Sequence, residues 1–180
     1  MSTNSGECNC AAAKRKIVGD IYTPEIWGPI YWKYLHIFGS RLSKISNRML
    51  LKQSIEYFDA LFEILQYAIP CSYCQQHYIT YYNAKKLQNL KDMNVFDAIS
   101  KIKEWLFTFH NDIRQNKGKP VIINTIQEYN AHYASMTLEA CDNDILMGSL
   151  KYGLQATFIT LENYTKFMRI VAEMRRIIKV

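Results

Sequence analysis

The stretch NRMLLKQSIEYFDALFEILQYAIPCSYC, residues 47 to 74, decides the fold of this chain. Asn47 is a residue type that caps helix N-termini, and the apolar residues after it recur at intervals of three and four. This spacing predicts an amphipathic helix that buries one face. Ile69 and Pro70 end that helix, because the residue before a proline is driven out of the helical region. A further helix can begin at once at Cys71.

Helical patterns also dominate the sequence on both sides of this stretch. The capping-box spacing of Asn94 with Asp97, and of Thr125 with Glu128, marks two more helix starts. Strand-like composition is confined to residues 121–123, a length that suits a turn. We therefore predict an all-α fold in one domain. The predicted helices are a first one with Pro29 in its first turn that runs through Gly39, then Asn47–Ala68, Cys71–Ala84, Asn94–Asn116, Thr125–Leu138, Asn143–Ala156 and Leu161–Ile178.

The composition is that of a globular protein with a small surplus of positive charge. The chain has 180 residues, of which 49% are hydrophobic and 21% charged, with eight phenylalanines and thirteen tyrosines. These values exclude the disordered, collagen-like and coiled-coil classes. A net charge of +6 permits an anionic partner without requiring one. We expect a mildly basic domain that does not bind nucleic acid.

The N-terminal residues are smaller and more polar than the rest of the chain. We predict a flexible arm over residues 1–22 that carries the sequence Cys8-Asn9-Cys10, then a domain over residues 23–140 and a helical extension over residues 141–180. The arm lacks the apolar run of a secretory signal, and no segment approaches the roughly 20 apolar residues of a spanning helix. We expect neither a signal peptide nor a membrane span.

The strongest chemical signal is the dithiol motif Cys71-Ser72-Tyr73-Cys74. At a helix start, two cysteines three residues apart share a face and can close a small disulfide ring. The amides and dipole of the first helical turn stabilise a thiolate there. One interpretation is therefore a dithiol that cycles between reduced and oxidised forms.

Other interpretations of the motif stay open at this point. Cys71, Cys74 and His77 could bind zinc with an arm cysteine as the fourth ligand, in a helical interaction module. The two cysteines could also be buried and unreactive. Thioredoxin-like chemistry is disfavoured because a helix, and not a strand, precedes the motif, and haem attachment needs a histidine where Gln75 stands.

The remaining aromatic and polar residues are ambiguous when they are taken singly. Trp32 and His36 lie four positions apart and so share a helix face, which is usual for core residues. The turn Gly118-Lys119-Pro120 lacks the other glycine and the hydroxyl residue of a phosphate-binding loop. No Gly-x-Gly-x-x-Gly follows a strand, which excludes a Rossmann-type dinucleotide site.

Taken together, three segments resemble the Erv/ALR family of FAD-linked sulfhydryl oxidases in both order and approximate spacing. The resemblance covers about Glu25 to Tyr133 and is closest to the versions carried by large cytoplasmic DNA viruses, which implies a location in the host cytoplasm or the virion. The three segments are Trp27-Gly28-Pro29-Ile30-Tyr31-Trp32 with Leu35-His36, Pro70-Cys71-Ser72-Tyr73-Cys74 with His77, and Trp105 with the run from His110 to Pro120.

The resemblance implies a four-helix bundle with a short fifth helix that holds FAD, commonly as a homodimer. The implied reaction oxidises a dithiol of a client protein with O₂, which yields a disulfide and H₂O₂. Cys71 would exchange with clients, and Cys74 would lie against the isoalloxazine ring. The implied cofactor-binding residues are Gly28, Trp32, His36, His77, Trp105, His110, Asn111, Arg114, Lys117, Lys119 and Tyr129.

The sequence departs from the family pattern at two of these positions. Arg114 stands where the family has asparagine and Lys117 where it has leucine, so the family's contacts there do not carry over directly. Arg114 could pair with a phosphate instead. Either Tyr129 or Tyr133 could supply the aromatic ring of the fifth helix that covers the cofactor.

The three other cysteines lie outside the motif. Cys8 and Cys10 resemble the shuttle dithiols that several family members carry outside the core, although they could equally be an incidental pair. Such a shuttle would collect electrons from a client and deliver them to Cys71. We expect Cys141 to be a buried or free thiol and not a catalytic one.

Overall fold

The computed structural model describes residues 23–87, 89–121 and 123–179. Within these ranges the chain forms seven α-helices, two short 3₁₀ turns and no strand, which confirms the predicted all-α class. The predictions for Cys8, Cys10 and the rest of the arm lie outside the described residues. The helices are α1 (Pro24–Arg41), α2 (Arg48–Ala68), α3 (Ser72–Ala84), α4 (Val95–Asn116), α5 (Ile126–Ala134), α6 (Ala140–Gln155) and α7 (Leu161–Ile178), with the 3₁₀ turns at Leu42–Lys44 and Leu90–Asp92.

The helix starts that capping chemistry predicts are present. The Asn47 side chain accepts hydrogen bonds from the amides of Met49 and Leu50 at the start of α2. Asn94 accepts one from the amide of Phe96 at the start of α4, and Thr125 caps α5 in the same way. Each cap satisfies amides that have no partner inside the helix, which explains why short local patterns locate these starts.

The first helix begins earlier than predicted. It starts at Pro24 after an extended Thr23, so Pro24 and not Pro29 occupies the first turn. Pro29 then lies inside α1, where its missing amide leaves the helical hydrogen bond to Glu25 unmade. Both prolines satisfy the same local rule, and the residue pattern alone does not distinguish them.

The fifth helix ends earlier than predicted, at Ala134 instead of Leu138. Its last carbonyls are taken by side chains from the end of α1 and the turn that follows. Ser40 Oγ donates to the carbonyl of Tyr133 at 3.2 Å, and Lys44 Nζ donates to that of Ala134 at 3.1 Å. These tertiary contacts replace the hydrogen bonds that further helical turns would have supplied.

Helix α1 lies at the centre of the packing. It contacts α4 and α5, as well as the C-terminal helices α6 and α7, while α2 packs against α3, α4 and α7. Gly39 allows the close approach of α1 to α4, since a Cβ there would lie 3.0 Å from Leu106 Cδ1. Leu150 and Phe167 of the C-terminal helices belong to the same hydrophobic core as the helices before them. The domain boundary at residue 140 stays a prediction.

Cys141 differs from its expected state. It lies near the start of α6 and is buried, as expected, but it is disulfide-bonded, so the expectation of a free thiol is wrong. In the part of the chain that the structure describes, no helix is both long enough and apolar enough to cross a membrane.

Candidate active site

The dithiol motif forms a disulfide at the N-terminus of α3. Cys71 is the N-cap residue and is joined to Cys74 in the first turn, with their Cα atoms 5.2 Å apart. Cys71 Sγ accepts a hydrogen bond from the Cys74 amide at 3.1 Å. Both cysteines are half-buried. When the bond is reduced, this position favours a Cys71 thiolate, because the helix N-terminus offers unpaired amides and positive potential.

A cavity of about 340 Å³ opens beside the disulfide, and we call it the redox end of the cleft. Cys71, Cys74 and His77 are among its lining residues. The indole Nε1 of Trp27 is buried in the wall, and no hydrogen-bond partner for it exists among the described residues. An unpaired buried donor favours a ligand that brings an acceptor. The apolar wall of the redox end includes Trp27, Trp32, Leu65, Tyr78, Phe109 and Ile113.

A second cavity of about 370 Å³ adjoins the first, and we call it the basic end of the cleft. Gly28, Trp32 and Lys117 line both cavities. The two cavities are therefore neighbouring parts of one cleft. The basic end adds the cations of Arg114 and Lys119. The cleft therefore has an apolar end beside the disulfide and a cationic end, and the two ends share a wall. This arrangement suits a long ligand with a flat ring at one end and phosphates at the other.

The turn that ends α4 brings the cations to the cleft. Gly118 has a left-handed φ of +62°, and its amide donates to the carbonyl of Gln115 while that of Lys119 donates to Arg114. These two hydrogen bonds and the left-handed glycine form a Schellman motif, which ends the helix and turns the chain away from its axis. Arg114 Nε also donates to the carbonyl of Pro120 at 2.8 Å. The Gly-Lys-Pro run thus places lysines on both sides of a tight turn.

A buried hydrogen-bonded chain lies behind the basic end. The hydroxyl of Tyr129 is 2.5 Å from His36 Nδ1, and His36 Nε2 is 2.8 Å from His110 Nδ1. His110 stacks on Trp32 with ring centroids 4.3 Å apart and planes within 4°. Burial lowers the pKa of His36 well below its usual value and that of His110 to about 4, the latter aided by the charge of Arg114. Both imidazoles are therefore neutral at neutral pH.

Nine of the predicted site residues line the cleft, and four do not. His36 and Tyr129 are buried in the chain just described, and Tyr133 instead of Tyr129 reaches the basic end. Trp105 packs against Phe109 and donates from Nε1 to the carbonyl of Lys85 at 2.8 Å, outside the cleft. Asn111 donates from its side chain to the carbonyl of Ile123 at 3.4 Å. The lining residues are Gly28, Trp32, Cys71, Cys74, His77, His110, Arg114, Lys117 and Lys119.

Glu25 lines both cavities and was not predicted. Hydrogen bonds from its own amide and from Thr23 lower the pKa of its carboxyl, and the charges of Lys117 and Lys119 act in the same direction. The sequence contained a pattern that could have identified Glu25 as a cleft residue. Glu25 lies three residues before Gly28 and so falls on the same helix face.

The zinc alternative gains no support from the geometry. Cys71 and Cys74 are bonded to each other, which leaves their sulfurs without the free thiolates that zinc needs. No group of three or more His, Cys, Asp or Glu side chains in the described ranges is arranged to hold a metal ion.

Comparison with known proteins shows a family match over the helices that build the cleft. The model of the Erv1 / Alr family matches residues 29–134. The FAD-linked sulfhydryl oxidases of two African swine fever virus isolates, Pig/Kenya/KEN-50/1950 and Warthog/Namibia/Wart80/1980, are each 27% identical over 118 residues, 64% of this chain and 87% of theirs. A protein of Invertebrate iridescent virus 6, provisionally named FAD-linked sulfhydryl oxidase 347L, is 20% identical over 57% of this chain and 89% of its own. No solved structure gives a significant match.

Proposed function

The chain belongs to the Erv1/Alr family, and from that premise we propose that it is an FAD-dependent sulfhydryl oxidase that forms disulfide bonds in client proteins. The observation that carries the proposal is the Cys71–Cys74 disulfide on the wall of a cleft that is apolar beside the sulfurs and cationic at its far end. The names of the viral relatives support the same activity.

The residues of the cleft fit FAD. Trp32 and Phe109 offer aromatic surface at the redox end, where the buried Trp27 Nε1 lacks an acceptor. Lys117 and Lys119, at the basic end, supply the positive charge that a pyrophosphate needs. Bound FAD would supply the acceptor for an electron pair from the cysteines and transfer that pair to O₂, which yields H₂O₂.

Electrons enter by thiol–disulfide exchange at α3. A client thiolate attacks Cys71 Sγ, the Cys71–Cys74 bond breaks, and Cys74 leaves as a thiolate. The client's second thiolate then attacks the client sulfur bound to Cys71, so the client disulfide forms and Cys71 leaves as a thiolate. Two electrons move from the client to the pair, and the two client protons go to solvent. The amide of Cys74 stabilises the Cys71 thiolate and so makes it a better leaving group.

The buried chain behind the basic end holds a proton at a defined atom. The buried Tyr129 hydroxyl has no other hydrogen-bond partner among the described residues, so accepting from His36 would leave its own hydrogen unpaired. We infer that it donates to His36 Nδ1, which leaves the His36 proton on Nε2. His36 Nε2 then donates to His110 Nδ1. The proton of neutral His110 is therefore on Nε2. His110 would present an N–H donor to the cofactor, which positions an acceptor group at the basic end.

We also propose that Cys8 and Cys10 act as a shuttle dithiol. Because the chain has five cysteines and Cys71 is bonded to Cys74, this proposal requires the disulfide of Cys141 to exchange during turnover. This proposal is supported by the positions of Pro24 and Glu25, which lie near the start of the described residues and line both ends of the cleft. Cys10 lies thirteen positions before Thr23. Such a length spans at most about 45 Å when fully extended, which is ample for reaching Cys71.

The expected assembly and location also stay proposals. The named relatives are virus proteins, which supports action in an infected host cell or a virion. Sedimentation of the full chain tests the proposed homodimer.

The flavin spectrum of the purified chain tests the proposed function. We expect a yellow protein whose flavin absorbance bleaches when dithiothreitol is added anaerobically, and which consumes O₂ and releases H₂O₂ with thiols in air. The Cys74→Ser variant is the matched control, since it should keep the yellow colour but lose the bleaching. A colourless full-length protein would overturn the proposal, and bound zinc in that protein would support the interaction-module alternative.

A further inference from the structure

Gln75, the residue directly after the motif, links the redox pair to the C-terminal helices. Its side-chain Nε2 donates to the carbonyl of Ile69 at 2.8 Å and to that of Phe158 at 2.9 Å. Ile69 precedes Pro70 and Cys71, whereas Phe158 lies in the turn between α6 and α7. That turn is outside the residues that match the family model.

The hydrogen bonds around Cys71 form a closed ring through Gln75. The Cys71 amide donates to the carbonyl of Ile69 at 2.8 Å, the same oxygen that Gln75 Nε2 holds. The Gln75 amide in turn donates to the carbonyl of Cys71 at 2.8 Å. These bonds define the extended conformation of Cys71, with φ of −164° and ψ of 115°. In that conformation its sulfur accepts the amide of Cys74.

The turn between α6 and α7, which contains Phe158, is held by hydrogen bonds and tight packing. The amides of Phe158 and Ile159 both donate to the carbonyl of Gly153, at 2.8 and 3.0 Å. Thr157 has a left-handed φ of +60°, a conformation that a β-branched residue adopts only when its surroundings impose it. Tight packing supplies that constraint, since a Cβ on Gly153 would lie 2.6 Å from Ile159 Cδ1 and 2.9 Å from Pro70 Cβ.

The turn between α6 and α7 therefore braces the motif at two points. Gly153 packs against Pro70, directly before Cys71, and the carbonyl of Phe158 holds the side chain of Gln75, directly after Cys74. We propose that Gln75 is a positioning residue that couples the C-terminal helices to the redox pair by holding the Cys71 sulfur at the N-cap of α3. The inference rests on the proposed function only in taking Cys71–Cys74 as the redox pair.

The expected effect on the redox equilibrium has a definite sign. Holding the sulfur of Cys71 at the helix N-terminus stabilises its thiolate, and a stabilised thiolate favours the reduced pair. The disulfide is therefore a stronger oxidant with Gln75 in place. Without the Gln75 amide, Cys71 gains conformational freedom, the thiol pKa rises and the equilibrium shifts toward the disulfide.

The test compares Gln75→Leu with Gln76→Leu in the full chain. Gln76 is the exposed neighbour on the same helix, so its variant controls for helix propensity and surface change. Each protein is equilibrated anaerobically with reduced and oxidised glutathione, and its thiols are trapped and counted. We expect Gln75→Leu to shift the equilibrium constant about three- to tenfold toward the disulfide, where tenfold corresponds to about 30 mV. Gln76→Leu should match the wild type.

The pH dependence of Cys71 alkylation is the second measurement, since a merely structural role would not raise this thiol pKa. If Gln75→Leu does not fold, Gln75→Asn replaces it, because the shorter amide cannot reach both carbonyls. An unchanged equilibrium constant and an unchanged alkylation profile in a folded variant overturn the inference. Both measurements follow the cysteines and not the flavin, so a colourless wild type would defeat the proposed function and leave this result readable.

Discussion

The two ends of the cleft are built in opposite ways. At the redox end, Cys71 and Cys74 are half-buried and joined by a disulfide that opens during each turnover in the proposed mechanism. At the basic end, His110 is held by a stacked indole and by a buried hydrogen-bonded chain to Tyr129. The proposed reactive groups thus stay accessible, while the proposed binding group is fixed by stacking and hydrogen bonds. The difference suggests that chemistry and cofactor binding can be separated by substitution.

The largest expected effect comes from removing the chemistry alone. Cys74→Ser should lower thiol oxidation on the order of a thousandfold or more, because no internal disulfide remains to accept electrons. Flavin content, measured from the absorbance of the purified protein, should stay near the wild-type value. Ser72→Ala in the same turn is the control and should keep its activity. Loss of flavin from Cys74→Ser would contradict the separation of the two ends.

The complementary change removes charge from the basic end. The double variant Lys117→Ala with Lys119→Ala should bind FAD about thirty- to a thousandfold more weakly, because it removes two charge-assisted contacts that contribute about 1–2 kcal/mol each. Titration of apoprotein with FAD measures this. At saturating FAD, turnover should stay within about twofold. Lys91→Ala with Lys101→Ala removes the same charge from exposed positions outside the cleft, and equal weakening there would show a general charge effect.

The proposed shuttle dithiol concerns the redox end only. Cys8→Ser with Cys10→Ser should slow the oxidation of a protein client about fivefold, as expected for the loss of an intramolecular delivery step. Oxidation of dithiothreitol, which reaches Cys71 directly, should not change. Because Cys141 is itself disulfide-bonded, Cys141→Ser is the control. If it reproduces the loss, the effect belongs to a structural disulfide, and if neither activity changes, the shuttle hypothesis is wrong.

A smaller effect tests the proton on His110. Tyr129→Phe removes the hydroxyl that holds the His36 proton on Nε2, so His110 can adopt either tautomer, and FAD affinity should fall about two- to fivefold. Nitrogen NMR of the histidine rings should show a mixture of tautomers at His110. Tyr82→Phe is matched to it, since that hydroxyl is also buried but has no partner among the described residues. An unchanged nitrogen spectrum in Tyr129→Phe would show that the Tyr129 hydroxyl does not determine the tautomer of His110.

The last expected effect is on acid stability and not on activity. The folded-state pKa of His110 is about 4, below the usual value of about 6.5, so between these values the unfolded chain binds more protons. The free energy of unfolding should therefore fall as the pH drops from 6.5 to 4. In His110→Gln this decline should be shallower, as followed by thermal melting at each pH. Identical slopes would mean that other groups cause the decline.

Local patterns predicted much of the fold, because the interactions behind them are local. Asn47, Asn94 and Thr125 cap helices by bonding amides two or three residues away, so a short window contains both partners. The same holds for Cys71, which caps α3 and bonds to Cys74 within one turn. The early end of α5 could not be predicted in this way, since Ser40 lies far away along the chain.

No such local pattern indicates how deeply a side chain is buried in the folded molecule. Helical spacing indicates which residues share a face, but not which of them reach a cleft and which lie behind it. Trp32 and His36 share a face, yet only Trp32 lines the cleft, and Tyr133 rather than Tyr129 reaches it for the same reason. The amino-acid sequence by itself determined which segments are helical, the dithiol motif at the start of α3 and the family. Tertiary packing alone decided the contacts of His36 with His110 and of Gln75 with Phe158, because each depends on atoms that meet only after distant segments have folded together.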